Sequence, residues 1–64
     1  MRKIKTFSEK DVSVSIYWNA EYEEFCCKLF DCGVHIKNAD YFTDDKDDAM
    51  PTAQLMLEQY VALN

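Results

Sequence analysis

The sequence predicts an α+β fold: a three-stranded antiparallel β-meander followed by one C-terminal α-helix that packs on one face of the sheet (β-β-β-α). Residues 12–18 alternate strictly between apolar and polar side chains, which is the period of a strand with one buried face. Turn-forming residues separate two further short strands. Over residues 49–63, apolar side chains recur at intervals of three and four, the spacing of a helical stripe.

Length and composition indicate one small domain. A chain of 64 residues buries about 60% of the surface that its unfolded form exposes, so we expect modest stability. Hydrophobic residues make up 48% of the chain, which favours a folded core over disorder. We expect a single domain over residues 1–64, with a basic arm or edge strand at 1–11, a sheet over 12–42 and a helix over 43–63.

Charge is distributed unevenly along the chain. The formal net charge is -5, although residues 1–10 hold four basic residues against one acidic residue. Nucleic-acid backbones repel an acidic body, because their binding depends on clustered Lys and Arg. We therefore expect no direct nucleic-acid partner. Residues 1–11 form either a short edge strand around Ile4, whose flanking charges discourage edge pairing, or a loose basic arm.

The first central strand is predicted to place its apolar residues in the core, namely Val12, Val14, Ile16 and Trp18. Residues 19–22 read as a hairpin connection, and a second strand follows over about residues 23–30. Phe25, Cys27 and Leu29 then face inward. Residues 31–33 predict a three-residue hairpin with Gly33 in the left-handed region. A third strand runs from Val34 to about residue 37 and resumes near Tyr41, after a bend over residues 38–40.

The helix is predicted over residues 43–63, with Thr43 as its N-cap. Carboxylates in the first turns suit the positive end of the helix dipole. They are Asp44, Asp45, Asp47 and Asp48. Pro51 deletes a backbone hydrogen bond, so either the helix restarts near Met50 or one helix bends at Pro51. We favour a helix that begins in the acidic stretch and bends there.

Two surfaces are candidates for binding. The first, the acidic edge, joins hairpin glutamates to helix aspartates, namely Glu21, Glu23, Glu24, Asp44, Asp45, Asp47 and Asp48. If these groups converge, they resemble the phosphates that a nucleic-acid-binding protein recognises. Trp18 or Tyr22 would anchor that interface. The second, the helix-free face of the sheet, is a binding surface or a dimer seam. It carries Tyr17, Cys26, Lys28, Phe30 and His35.

Cysteine, histidine and aspartate residues raise the question of a metal or a catalytic site. Cys26, Cys32 and His35 are three ligands at most, whereas structural zinc takes four, and Cys27 should point to the opposite face. The aspartate run lacks the ligand spacing and glycine of a calcium loop. Cys32 and His35 are the only two residues that could act together as a nucleophile and its general base. We expect no metal, no cofactor and no enzymatic activity, with one core cysteine and two surface thiols.

Several stretches resemble small proteins encoded by phages and prophages. They are YWNAEYEEF at residues 17–25, the DCG turn at 31–33 and DYFTDDKDDA at 40–49, followed by Thr52 and Ala53. Such proteins often have a compact β-β-β-α fold. Some, such as anti-CRISPR proteins, inhibit host defence systems by blocking a nucleoprotein surface. The resemblance implies a protein-binding role.

We therefore expect a small acidic, non-enzymatic protein-binding module of phage or mobile-element type. Its predicted action is inhibition of a host nucleic-acid-binding or defence complex. The alternative is a homodimeric structural unit joined through the helix-free face. The chain has no run of about 18 apolar residues and no signal-peptide apolar region after its basic start. An odd number of cysteines fits a reducing compartment. These features predict a cytoplasmic location without a membrane contact, in the bacterial host if a phage encodes the chain.

Overall fold

The computed structural model describes residues 1–63 and shows an antiparallel sheet followed by one helix. Three long strands run over Arg2–Glu9 (β1), Val12–Asn19 (β2) and Glu24–Asp31 (β3). Two short strands, Val34–His35 (β4) and Tyr41–Thr43 (β5), flank a 3-10 turn at Lys37–Ala39. The helix α1 spans Lys46–Leu63. The predicted β-meander with a C-terminal helix is confirmed.

The sheet has the strand order β1-β2-β3-β4, and β5 pairs with β3 next to β4. β4 and β5 therefore form one interrupted edge, which agrees with the predicted third strand and the bend within it. The other edge is β1, so residues 2–9 are a strand and not a loose arm. The register shifts between Lys3 and Lys5, and such a bulge twists an edge away from unwanted pairing.

The core lies between α1 and one face of the sheet. The alternating residues of β2 and β3 supply one side, and a stripe of α1 supplies the other. Ala49 and Ala53 are fully buried, so the helix approaches the sheet closely at its N-terminal half. The buried residues are Val12, Val14, Ile16, Cys27, Leu29, Ala49, Ala53 and Leu57. The predicted inward faces of both strands are confirmed for these residues.

The connection between β3 and β4 is shorter than predicted. Asp31 pairs with Val34, so the loop contains only Cys32 and Gly33 and not three residues. Both have positive φ, at 52° and 82°. Two left-handed residues in succession match the twist of a two-residue hairpin, which explains why this turn forms despite the cost at Cys32.

The helix begins at Lys46 and not at Thr43. The Asp45 side chain accepts a hydrogen bond from the Asp47 amide at 2.9 Å, so Asp45 is the capping residue. Thr43 instead ends β5, and its hydroxyl accepts the Asp45 amide at 3.2 Å. The prediction of Thr43 as N-cap was therefore wrong, because its side chain organises the turn before the cap. Pro51 lies inside one continuous helix, as we predicted in favouring a helix that begins in the acidic stretch. The bend of that helix at Pro51 stays a prediction.

Cys26 corrects the predicted division into one core cysteine and two surface thiols. It lies on the helix-free face but is only 1% exposed, and Cys27 is fully buried on the other face. The register aligns Cys26 with Tyr17 on β2 and with Phe42 on β5. Because the thiol is small and lies between these two large aromatic side chains, it is covered although no helix packs on this face. Only Cys32 is exposed.

Candidate functional site

The acidic edge forms at one end of the sheet because of strand register. Asn19 pairs with Glu24 next to the turn of the β2–β3 hairpin, and Phe25 pairs with Thr43 at the end of β5. The hairpin turn and the start of α1 therefore meet at the same end. The two groups of carboxylates lie 20 residues apart in the sequence, and the strand register places both at this end of the sheet.

Hydrogen bonds hold both halves of the acidic edge in place. The Asn19 side chain accepts the amides of Glu21 and Tyr22 at 3.0 and 3.4 Å, which orders the hairpin turn. Glu23 is in the left-handed region with a φ of 51°. On the helix side, Asp45 caps the first turn. The glutamates and aspartates are thus presented from turns with defined backbone hydrogen bonds.

Asp48 is the carboxylate of the acidic edge with the most partners. It accepts the Tyr41 hydroxyl at 2.6 Å, and the Thr52 hydroxyl lies 3.4 Å from it. The Tyr41 hydrogen bond, with those of Thr43 and Thr52, lowers the pKa of Asp48 below its ordinary value. The same Tyr41 contact raises the pKa of the phenol. Asp48 therefore stays ionised at neutral pH and has a structural role besides its charge.

The acidic edge carries carboxylates that have no ion-pair partner among residues 1–63. Within residues 1–63, the one carboxylate at salt-bridge distance from a basic residue is Asp40, whose Oδ1 lies 2.7 Å from Nε2 of His35. None of the seven carboxylates lies within ion-pair distance of a basic side chain in that range. Five of them are exposed, and Glu24 and Asp48 are half-buried. Unpaired exposed charges of one sign create a field that attracts a basic surface.

Exposed aromatic side chains border the same end. Tyr22 in the hairpin turn is 70% exposed, and Phe42 on β5 is 55% exposed. Tyr22 is one of the two aromatic anchors predicted from the sequence, whereas Phe42 and its neighbour Tyr41 were not predicted. The signal was present, since a two-residue aromatic pair directly precedes the aspartate run. Aromatic residues next to charge are common anchors of protein interfaces.

The helix-free face carries two lysine side chains beside the ring of Tyr17. The ammonium groups of Lys3 and Lys28 lie 5.9 and 5.2 Å from the centre of the Tyr17 ring. Phe30 packs on the His35 ring with centroids 5.2 Å apart. The structure thus brings Tyr17, Lys28, Phe30 and His35 to one face. Cys26 lies beneath that face and has almost no surface of its own.

Trp18 does not lie on the exposed acidic edge. It packs on Phe25 with ring centroids 4.7 Å apart and lines a cleft with Arg2 and Lys46. The sequence alone does not indicate this cleft, because Arg2 lies beside Trp18 only if residues 2–9 form a strand that pairs with β2.

Residues 1–63 contain no group of three or more His, Cys, Asp or Glu side chains arranged to hold a metal ion. Their one helix is too polar to qualify as a membrane span. No protein family model, no curated protein and no solved structure matches the chain.

Proposed function

We propose that this protein is a non-enzymatic module that binds a basic surface of another protein through its acidic edge. The observation that carries the proposal is the pairing of Phe25 with Thr43, which joins the hairpin glutamates to the helix aspartates. The joined charges are unpaired within residues 1–63, and Tyr22 and Phe42 border them. Charge complementarity would set the encounter rate, and the aromatic side chains would supply buried contact.

The partner class follows from the geometry of the charges. Several carboxylates presented from two ordered turns offer negative groups at separated points, as a nucleic-acid backbone does. A protein surface that binds phosphates with Lys and Arg would accept them. The module would then compete with nucleic acid and inhibit its partner. The likeness to small phage-encoded inhibitors of host defence supports the same proposal.

The alternative function is a homodimer joined through the helix-free face. The cations over Tyr17 weigh against it, because two such faces would place Lys3 and Lys28 of both copies near one another. The solution mass decides between the two. A dimer that Tyr17→Glu or Phe30→Glu converts to a monomer would favour the alternative, whereas a monomeric wild type excludes it.

The experiment is an affinity capture from a bacterial lysate at low and moderate salt. Charge reversal of all four helix aspartates would disturb the cap at Asp45 and the Tyr41 contact of Asp48, so Glu21→Lys with Asp44→Lys is the sharper variant. Both side chains are exposed and take part in no side-chain hydrogen bond. The control is Glu9→Lys with Glu58→Lys, which changes the net charge equally at exposed positions elsewhere.

We expect the first variant to capture at least about fivefold less partner than wild type, and the control variant to capture as much as wild type. Moderate salt should weaken the wild-type complex. The captured partner should then bind less nucleic acid when the module is added. Equal capture by both variants would overturn the acidic edge as the binding surface. Circular dichroism of each variant verifies that the fold is intact.

A further inference from the structure

A cleft opens between the end of the sheet and the first turn of α1. Its volume is about 280 Å³, and its lining residues come from four elements. They are Arg2 and Ile4 of β1, Trp18 of β2, Phe25 of β3 and Lys46 of α1. Arg2 pairs with Trp18, and Trp18 pairs with Phe25, so three of these side chains follow one row across the sheet.

The floor of the cleft is apolar and aromatic. The Trp18 and Phe25 rings lie 4.7 Å apart with their planes inclined by 52°. Both are half-buried, as is Ile4. They stay partly open because α1 starts at Lys46, and the first buried helix residue is Ala49. An aromatic surface left open beyond the end of the helix can pack a further planar ring.

The rim of the cleft is cationic. Arg2 and Lys46 are exposed, and neither pairs with a carboxylate within residues 1–63. The acidic edge lies at the same end of the molecule, yet no carboxylate lines the cleft. Two unpaired cations over an aromatic floor repel a cationic ligand and attract an anionic one. The guanidinium fork of Arg2 also suits the two oxygens of a carboxylate.

We propose that this cleft binds a small aromatic carboxylate. Its ring packs on Trp18 and Phe25, and its carboxylate lies between Arg2 and Lys46. The volume is close to the lower limit of about 300 Å³ for small-molecule sites, which restricts the ligand to one ring with a short acidic chain. The site uses none of the seven acidic-edge residues. A failed test of ligand binding would therefore not contradict the proposed protein-binding function, and the reverse also holds.

The test uses Trp18, the one tryptophan of the chain, as an intrinsic probe. Its emission is recorded during titration with phenylacetate, with neutral phenylacetamide and with acetate, which lacks the ring. We expect a saturable change with phenylacetate, at least about tenfold weaker affinity for the amide, and no change with acetate. Equal binding of acid and amide, equal binding of acetate, or no saturable change up to about 20 mM phenylacetate overturns the proposal.

Variants separate rim contacts from general charge effects. Arg2→Gln with Lys46→Gln removes both rim cations and should weaken phenylacetate binding at least about tenfold. Lys10→Gln with Lys37→Gln removes two exposed cations outside the cleft and should leave the affinity within about twofold. Unchanged affinity in the first variant, or the same loss in both, contradicts the proposal. The urea midpoint of each variant verifies folding.

Discussion

Tyr41 donates its phenolic hydrogen to Oδ2 of Asp48 across 2.6 Å, and this contact fastens the edge strand β5 to the first turn of α1. It is the side-chain bond that ties the sheet to the helix at the acidic edge. The bond lowers the pKa of Asp48 and raises the pKa of Tyr41, because it favours the charged carboxylate and the neutral phenol. Stability at this junction therefore depends on pH.

Tyr41→Phe should lower the free energy of unfolding slightly at neutral pH. A carboxyl whose pKa is lower in the folded state stabilises above its unfolded pKa of about 3.9, and this contribution is lost as the pH falls through the folded pKa. The difference between wild type and Tyr41→Phe should therefore shrink in acid. On the alkaline side, Tyr41 has the raised pKa, so its contribution is lost as the pH rises above its ordinary value of 10.0.

Urea unfolding at neutral pH and at about pH 3 measures this effect. Tyr22→Phe is the matched control, since Tyr22 is 70% exposed and its hydroxyl takes part in no hydrogen bond. The control should unfold like wild type at both pH values. If the difference in unfolding free energy between wild type and Tyr41→Phe were the same at both pH values, the Tyr41 hydroxyl would not change the pKa of Asp48.

Ile16→Ala should destabilise the protein by about 2–5 kcal/mol, because Ile16 is fully buried at the centre of β2 and the variant leaves a cavity. A 64-residue domain has a total stability of roughly 3–10 kcal/mol, so this loss can unfold a large fraction of the chain. Ile16→Val should cost only about 0.5–1.5 kcal/mol. Trp18 emission in urea follows both transitions. A loss below about 1 kcal/mol for Ile16→Ala would mean that the site collapses around the cavity.

Pro51→Ala should stabilise the protein by about 1–2 kcal/mol. Proline inside α1 removes an amide that would bond to the Asp47 carbonyl, and it crowds the preceding turn. The greater freedom of the unfolded variant offsets up to about 1 kcal/mol of that gain. Pro51 is exposed, so no core contact is lost. Gln54→Ala, exposed on the same helix, should change stability by less than about 0.5 kcal/mol. A destabilised Pro51→Ala would show that the proline geometry is needed at the helix start.

One thiol of three should react quickly in the native protein. Cys32 is exposed, although Asp31 raises its pKa through a hydrogen bond and its charge. Burial raises the pKa of Cys27 to about 11, and it also raises that of Cys26. At pH 8 about one Cys27 in a thousand is a thiolate, and the side chain is inaccessible as well. We expect modification of the two buried thiols to be at least about 100-fold slower than that of Cys32.

A coloured disulfide reagent counts the reactive thiols in native and unfolded protein. Cys32→Ser should abolish the fast phase, and unfolding in urea should release the remaining two thiols. Two fast thiols in the wild type would mean that Tyr17 and Phe42 do not cover Cys26.

Much of the sheet follows from local pattern. The strict alternation over residues 12–18 predicts both the strand, observed at Val12–Asn19, and its buried face, since alternate residues of a strand point to opposite faces of the sheet. The break over residues 38–40 was predicted as a bend and is the 3-10 turn at Lys37–Ala39. The sequence does not decide between a strand and an arm for residues 1–11, because charged residues dominate them and, of β1, only Ile4 and Phe7 pack on the core. Pairing with β2 decides its conformation, and that partner is not a local signal.

The candidate sites depended on contacts between distant segments. The composition of the acidic edge was predicted, but its assembly required the pairing of Phe25 with Thr43, 18 positions apart. Cys26 was placed on the correct face with the wrong exposure, since neighbours on two other strands cover it. The cleft at Trp18 could not be predicted from the sequence for a similar reason. Its rim combines Arg2 and Lys46, which are far apart in the chain. The periodicity of the sequence predicts which residues share a face of a strand. The register between strands determines which residues of different strands become neighbours.

The meander topology has a kinetic consequence. β1, β2 and β3 are consecutive in the chain and adjacent in space, and short turns at residues 10–11 and 20–23 join them. Each hairpin can form from segments close in sequence, so the entropy lost on closing loops is small. Pairing between consecutive strands favours faster folding than pairing between strands that are distant in the chain. α1 follows these hairpins in the chain, and its packing on β2 and β3 completes the core that the hairpins alone leave open on one side.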